Sequence, residues 1–140
     1  MSTEIKLDGL AEMMQAFKDA SAQTRAKIED AVTVTAVNVQ AKAIRRIQSG
    51  PATGRVYKSK VSGRSHQASA PGESPMSDSG ALASSIYRDQ EGTTAYVGSP
   101  LVYSVYLEFG TSKMKPRPFL FPSLESERAD FHRRLKGVLA

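Results

Sequence analysis

The chain has 140 residues, a length that fits one domain and is too short for two comfortable ones. It is 40% hydrophobic and 24% charged, and its net charge is +5. The absence of cysteine excludes a disulfide scaffold, a Cys-ligated zinc module and a thiol catalyst, and no apolar run approaches the roughly 20 residues that cross a bilayer. Residues 1–6 lack the long apolar region of a signal peptide. We therefore expect a protein that is not secreted, has no membrane partner and meets a polyanion or acidic proteins.

The first third of the chain predicts a strand and two helices. Residues 3–8 alternate polar and apolar side chains, as a half-buried strand does. Apolar residues at helical spacing over 10–17 predict a short helix (Leu10, Met13, Met14 and Phe17). A long helix is predicted from about Gln23 to Gln48, with one apolar stripe (Ile28, Val32, Ala36, Val39, Ala43 and Ile47) and a second beside it (Val34, Val37, Ala41 and Ile44). Such a wide apolar face is suited to packing under a sheet or between subunits.

The basic residues are concentrated in one segment. No Asp or Glu occurs between Asp30 and Glu73, whereas residues 41–64 carry seven basic side chains. Lys42 is one of them, and the other six are those we predict to contact DNA or an acidic partner: Arg45, Arg46, Arg55, Lys58, Lys60 and Arg64. Such a segment attracts phosphate backbones through counterion release, and the alternative interpretation is a solubilising loop.

Residues 49–78 are rich in Gly, Pro and Ser and show neither helical nor strand periodicity overall. An irregular segment of this length is usually a functional arm or a disordered loop. Within it, Val56, Tyr57 and Val61 predict a short strand, in a hairpin that turns near Ser62-Gly63. A neighbouring subunit is the economical candidate to brace this arm.

The remainder of the chain predicts a short helix, a hairpin and two further helices. Asp78 or Ser79 is expected to cap the short helix, and two alternating runs around Gly92 predict the hairpin. A helix follows over residues 101–109, with Gly110 as its C-cap. Pro122 is expected in the first turn of the final helix, whose apolar face (Leu124, Phe131, Leu135 and Val138) lies opposite a charged face (Glu125, Glu127, Arg128, Asp130, Arg133, Arg134 and Lys136).

This order predicts an α+β fold, in which a small antiparallel sheet is packed by a long helix and a C-terminal helix and a long extended arm is added. We expect one domain over residues 1–140, with the irregular basic arm at 49–78.

No motif for catalysis or for a cofactor stands out. The chain has no glycine-rich phosphate loop and no nucleophile elbow, and Ser112–Lys115 matches S-x-x-K only in a segment where Pro116 opposes the required helix. His66 lies in the arm without an acidic partner at a suitable spacing, and His132, beside Arg133 and Arg134 on the final helix, is expected to be solvated or at an interface. We therefore expect no enzyme activity, no cofactor and no metal. A hydrolase built on His66 and serines of the arm is the weakest hypothesis.

Four segments resemble the signatures of a known family. They are HQASAPGESP at 66–75, DSGALASSI at 78–86, YSVYLEFGTS at 103–112 and MKPRPFL at 114–120. Together they resemble the gene-product-10-like tail components of lambda-like, long-tailed bacteriophages. Ser79 stands where Thr is usual, and Ser74 where Pro is usual. Both departures are mild.

The resemblance implies a structural virion protein without enzymatic activity, assembled in the bacterial cytoplasm and located in the neck or tail-completion region. Proteins of this kind form rings, usually sixfold, between head-completion (stopper) proteins and the tail terminator or tail tube, and double-stranded DNA passes through the lumen. Whether the level is a neck ring or a tail terminator stays open. The alternative function is a stand-alone basic nucleic-acid-binding protein.

The resemblance also implies a motif for the subunit interface or the core: Tyr106, Glu108, Phe109, Gly110, Thr111, Pro116, Arg117, Pro118 and Phe119. In this interpretation residues 108–111 end a helix sharply, and Arg117 pairs with an acidic group of the next subunit. Phe119 and Phe121 are expected to be buried anchors. The arm would reach a neighbouring subunit or ring, with its basic residues facing the DNA channel or acidic partners.

Overall fold

A computed structural model of the chain describes residues 2–7, 22–50, 52–75 and 80–139. The helices within these ranges are α1 (Ala22–Ser49), α2 (Ala81–Ser85), α3 (Val102–Phe109) and α4 (Phe121–Leu139). The strands are β1 (Thr3–Leu7), β2 (Val56–Lys58), β3 (Ser65–Gln67), β4 (Tyr87–Glu91) and β5 (Thr94–Ser99). The predicted α+β class is confirmed. The helix predicted at 10–17 and the capping residues predicted at 78–79 lie outside the described residues.

The main sheet has three antiparallel strands in the order β1-β5-β4. Ile5 of β1 and Arg88 of β4 both lie opposite Val97 of the central strand. Because side chains alternate along a strand, the face that carries Val97 and Ala95 packs on α1, and both residues are fully buried. The predicted strand near the N-terminus and the predicted hairpin around Gly92 are therefore confirmed.

Helix α1 places its first predicted stripe in the core, where all six residues are buried. Phe131 and Leu135 of α4 pack in the same cluster, with Leu124 and Val138 at its margin. The second stripe behaves differently, because Val34 and Val37 are exposed and only Ile44 packs against the core. The sequence pattern therefore located the buried face of α1 and overestimated its width.

Glu127 of α4 is buried, so its assignment to the charged outer face of that helix is wrong. It lies three residues after Leu124 and four before Phe131, and this spacing puts it on the apolar stripe. Its carboxylate binds Lys42 Nζ at 2.7 Å and Asn38 Nδ2 at 3.3 Å. Burial alone would raise the pKa of Glu127, but these bonds and the nearby Arg134 guanidinium more than compensate and hold the pKa below its ordinary value of 4.5.

We expect Glu127→Gln to lower the free energy of unfolding at pH 7 by roughly 1–3 kcal/mol, because the amide cannot replace bonds to charged donors. Since folding lowers the pKa of Glu127, its contribution is complete above the ordinary carboxyl pKa and is lost as pH falls through the folded-state pKa. The difference in the free energy of unfolding between wild type and variant, measured with urea, should therefore be smaller in acid than at pH 7. Glu125→Gln, at an exposed surface pair, is the control. An equal difference in the free energy of unfolding at pH 7 and in acid would contradict this role of Glu127.

Candidate assembly surfaces

The carboxylate of Glu108 joins the end of α3 to the start of α4. It accepts hydrogen bonds from the backbone N–H groups of Phe119 at 2.9 Å, Leu120 at 3.0 Å and Phe121 at 2.7 Å. Phe121 is the first residue of α4, and the other two directly precede it. The N–H groups at this end of a helix have no partner within the helix, and a negative charge is favourable there. Glu108, itself buried, is therefore the N-terminal cap of α4. The motif predicts Glu108 at the end of α3 and in the interface or core, and it does not predict the cap on α4.

We expect Glu108→Ala to lower the free energy of unfolding by roughly 2–4 kcal/mol, because it leaves buried N–H groups without an acceptor and removes a helix cap. Chemical denaturation monitored by circular dichroism measures this loss. Glu125→Ala, an exposed glutamate of α4, is the matched control and should change stability by less than about 0.5 kcal/mol. A Glu108 variant as stable as the control would show that the cap is unimportant.

Gly110 turns the chain sharply at the end of α3, as predicted. Its φ is 76°, and its N–H donates to the Tyr106 carbonyl at 2.8 Å. A Cβ at this position would lie 2.8 Å from the Met114 carbonyl oxygen and 2.9 Å from Cδ of Pro116, so only glycine fits. The turn is closed by a hydrogen bond from Thr111 N–H to the same Met114 carbonyl, at 2.8 Å.

Glu73 closes the base of the arm through bonds to other residues of the arm. Its carboxylate accepts bonds from Thr53 Oγ1 at 2.6 Å and from the backbone N–H groups of Thr53 and Ala70 at 3.1 and 2.8 Å. The Thr53 hydroxyl is the main reason that the pKa of Glu73 is lowered, and the charge of Arg117 contributes. The pairing of Arg117 with a neighbouring subunit stays a prediction. Within the part of the chain described here, its buried Nε has no hydrogen-bond partner.

Two further bonds connect the arm to the proline-rich segment before α4. Gly72 N–H donates to the Pro116 carbonyl at 3.0 Å, and Ser74 Oγ donates to the Pro118 carbonyl at 3.1 Å. The segments 66–75 and 114–120, which are far apart in the sequence, therefore lie side by side. The arm leaves the body from a fixed base.

Beyond this base, the arm forms the basic hairpin, residues 53–69, in which β2 and β3 pair antiparallel. The predicted hairpin is confirmed, except that Val61 lies in the turn and not in a strand. Its four basic residues are exposed and make no salt bridge with any described residue (Arg55, Lys58, Lys60 and Arg64). Val56, Tyr57 and Val61 are also exposed, Val61 at 99%. Both faces of the hairpin are therefore available for contact.

The other three basic residues of the segment 41–64 lie at the end of α1. Lys42 is bound to Glu127 and also contacts Ser126 Oγ at 3.1 Å. Arg45 is exposed and Arg46 is half-buried, and both line a hollow with Ser49 and Gly50. The basic segment is thus divided between a helix end and the hairpin, and Lys42 has a structural role.

Besides the basic hairpin, the second candidate surface for assembly is made of exposed apolar residues of α3 and the first residue of α4. We call it the aromatic surface; it consists of Val102, Tyr103, Tyr106, Phe109 and Phe121. Phe109 is 73% exposed and Phe121 is 57% exposed, and the two rings line one hollow with Ile5 and Pro118. The prediction that Phe121 is buried is therefore wrong. Of the three consecutive apolar residues at 119–121, Phe119 and Leu120 point into the core, and Phe121 is left on the surface.

In the part of the chain that the structure describes, the side chains typical of catalytic or metal sites are not brought together. No cluster of three or more His, Asp or Glu side chains there could hold a metal ion. His66 lies on β3 of the hairpin, and His132 lies on α4 with its ring 6.3 Å from that of Phe131. Across the same ranges, no helix is both long enough and apolar enough to cross a membrane.

The fold and these surfaces define a small α+β protein whose exposed features are an aromatic helix face and a basic hairpin. Residues 11–110 match the family described as "Bacteriophage HK97-gp10, putative tail-component", and the chain belongs to that family. The match includes the basic hairpin and ends at Gly110, before the segment 114–120. No curated protein and no solved structure matches the chain. The family identifies a structural component of a phage tail, found in the virion, whose contacts are with other phage tail or head proteins.

Proposed function

We propose that the chain is a one-domain subunit of a homo-oligomeric ring in the neck or tail-completion region of a long-tailed bacteriophage. The ring, sixfold as the family resemblance implies, joins head-completion proteins to the tail terminator or tail tube, and the phage DNA passes through its lumen. The subunit is assembled in the host cytoplasm and has no enzymatic role.

The observation that carries this proposal is the aromatic surface. Helix α3 has only eight residues, and four of them expose large apolar side chains to water: Val102, Tyr103, Tyr106 and Phe109. Large exposed apolar patches on soluble proteins are typical of protein interfaces, and tyrosine and phenylalanine are enriched there. Tyr106 and Phe109 belong to the family-like motif, and Glu108 between them is buried as a helix cap. Within residues 106–109, the motif thus presents Tyr106 and Phe109 outward and uses Glu108 for the fold.

A stand-alone nucleic-acid-binding protein is the second candidate, and it is favoured by the basic side chains of the hairpin, which form no salt bridge with the residues that the structure describes. Four cations on one projecting ribbon would release counterions from a phosphate backbone without reading bases. The two candidates differ in stoichiometry. A ring component has a fixed copy number in the particle, whereas a stand-alone protein binds DNA as a monomer with a steep salt dependence and is absent from particles.

Mass photometry of the purified protein tests the ring. We expect the wild type to form discrete closed oligomers and Phe109→Ser to weaken their association by roughly 10-fold or more, because it removes a central aromatic contact. Val34→Ser, at an exposed valine on α1, is the matched control and should leave the oligomers intact. A wild type that stays monomeric at all concentrations and binds DNA would favour the second candidate.

A further inference from the structure

The side of the main sheet that faces away from α1 is acidic. The register aligns Glu4, Gly98 and Tyr87 across the three strands, and Lys6, Tyr96 and Asp89 in the next row. We call this the outer sheet face; it consists of Glu4, Lys6, Tyr87, Asp89, Glu91, Thr94 and Tyr96. Glu4, Asp89 and Glu91 are exposed, and Lys6 is the single basic residue on this face of the described strands.

A hydrogen bond across the central strand organises this face. The Tyr87 hydroxyl donates to the Glu4 carboxylate across Gly98, where β1 approaches so closely that a Cβ would lie 2.1 Å from the Thr3 carbonyl oxygen. Burial, together with the bond to Glu4, raises the pKa of Tyr87 to about 12. The charge of the face comes from its three carboxylates and one lysine, and the face also presents two half-buried aromatic rings, Tyr87 and Tyr96.

We propose that the basic hairpin of one copy docks on the outer sheet face of the next copy. This inference rests on the proposed ring and names the partner of the arm. The hairpin carries four basic residues and no acidic one, whereas the face carries three acidic residues and one lysine. Such opposite charges orient two surfaces and exclude wrong pairings.

The apolar residues of the hairpin favour a protein partner over DNA. Val56 and Tyr57 are each more than half exposed, and Val61 is almost completely so. Phosphate contacts would leave this area in water, whereas Tyr87 and Tyr96 offer aromatic and apolar surface against which it can pack. An isolated two-stranded hairpin is also marginally stable in water, so docking would stabilise it.

The geometry of the contact fits a ring. The hairpin and the outer sheet face are different surfaces of one chain, so their contact is heterologous and repeats from head to tail, which generates a ring when the rotation between copies closes. The Glu73 carboxylate and the bonds to Pro116 and Pro118 fix the base of the hairpin. A fixed base lowers the entropy that docking would otherwise cost.

Carbodiimide cross-linking tests this contact, because the reagent joins lysine amines directly to carboxylates that touch them. The ring is assembled from an equal mixture of ¹⁴N- and ¹⁵N-labelled protein, so that peptides of mixed label report links between copies. We expect mixed-label links from Lys58 or Lys60 to Glu4, Asp89 or Glu91. Closed rings without such links would overturn the docking and leave the ring standing, whereas the absence of rings and links together would overturn both.

A charge exchange separates this docking from DNA binding. Lys58→Glu with Lys60→Glu should weaken association of the rings by roughly 10-fold, as should Asp89→Lys with Glu91→Lys on the partner surface. Combining the two pairs in one chain should restore association to within about threefold of wild type. Glu125→Lys with Asp130→Lys, two α4 residues whose side chains are each 40% exposed, is the control that should not restore it. If the hairpin variant loses only DNA affinity and the exchange restores nothing, the docking is wrong and the hairpin faces DNA.

Discussion

Phe119→Ala is expected to lower the free energy of unfolding by roughly 3–5 kcal/mol, the range typical of removing a buried aromatic side chain. The side chain is fully buried (0% exposed), next to Leu120, in the core that α1 and the sheet enclose. The loss combines the transfer energy of the ring with the cavity it leaves. Denaturant titration of the purified subunit, at a concentration below that at which it associates, measures it.

Phe109→Ala is the matched control for this prediction. The ring of Phe109 is 73% exposed, so its removal should change the stability of the isolated subunit by less than about 0.5 kcal/mol. Association should weaken instead. Equal destabilisation by the two substitutions would contradict the assignment of Phe119 to the core and Phe109 to the aromatic surface.

Reversing the charge of the hairpin is expected to have the largest effect on the particle. Arg55→Glu, Lys58→Glu and Lys60→Glu together change the charge of the hairpin by −6 while leaving the core untouched, because all three side chains are exposed. The isolated subunit should keep its circular dichroism spectrum and unfolding midpoint. The titre of infectious particles should fall by roughly 100-fold, because an electrostatic contact that is repeated around the ring becomes repulsive.

Complementation of a phage that lacks the gene measures this effect. The matched control replaces the same three residues with glutamine and should give an intermediate titre, since it removes attraction without adding repulsion. Normal titres from the triple glutamate variant would show that the charge of the hairpin is incidental to assembly.

The elements that sequence reasoning placed well are those with a local cause. The stripe from Ile28 to Ile47 predicts the buried face of α1 because helical periodicity needs no knowledge of the partner. Gly92 and Gly110 mark turns for the same reason, since their backbone conformations favour glycine. The resemblance to the phage family added a motif at residues 103–112, but no geometry for it.

The features that sequence reasoning missed depend on residues brought together by the fold. Glu108 caps a helix that begins 13 residues later, and no local capping signature connects them. Glu127 was assigned to the outer face because it is charged, whereas its spacing from Leu124 and Phe131 was the signal for burial. The acidic outer sheet face joins Glu4 to Asp89 and Glu91 through strand pairing, so only the sheet order shows that they share one surface.

A cryo-electron microscopy reconstruction of the intact particle is the decisive test of the proposed ring around the DNA path where head and tail join. We expect a closed ring of this subunit at that level, with the aromatic surface of α3 buried between neighbouring copies. We also expect each basic hairpin on the outer sheet face of the next copy. A neck and tail without such a ring, or a ring whose α3 helices face solvent, would contradict the proposal.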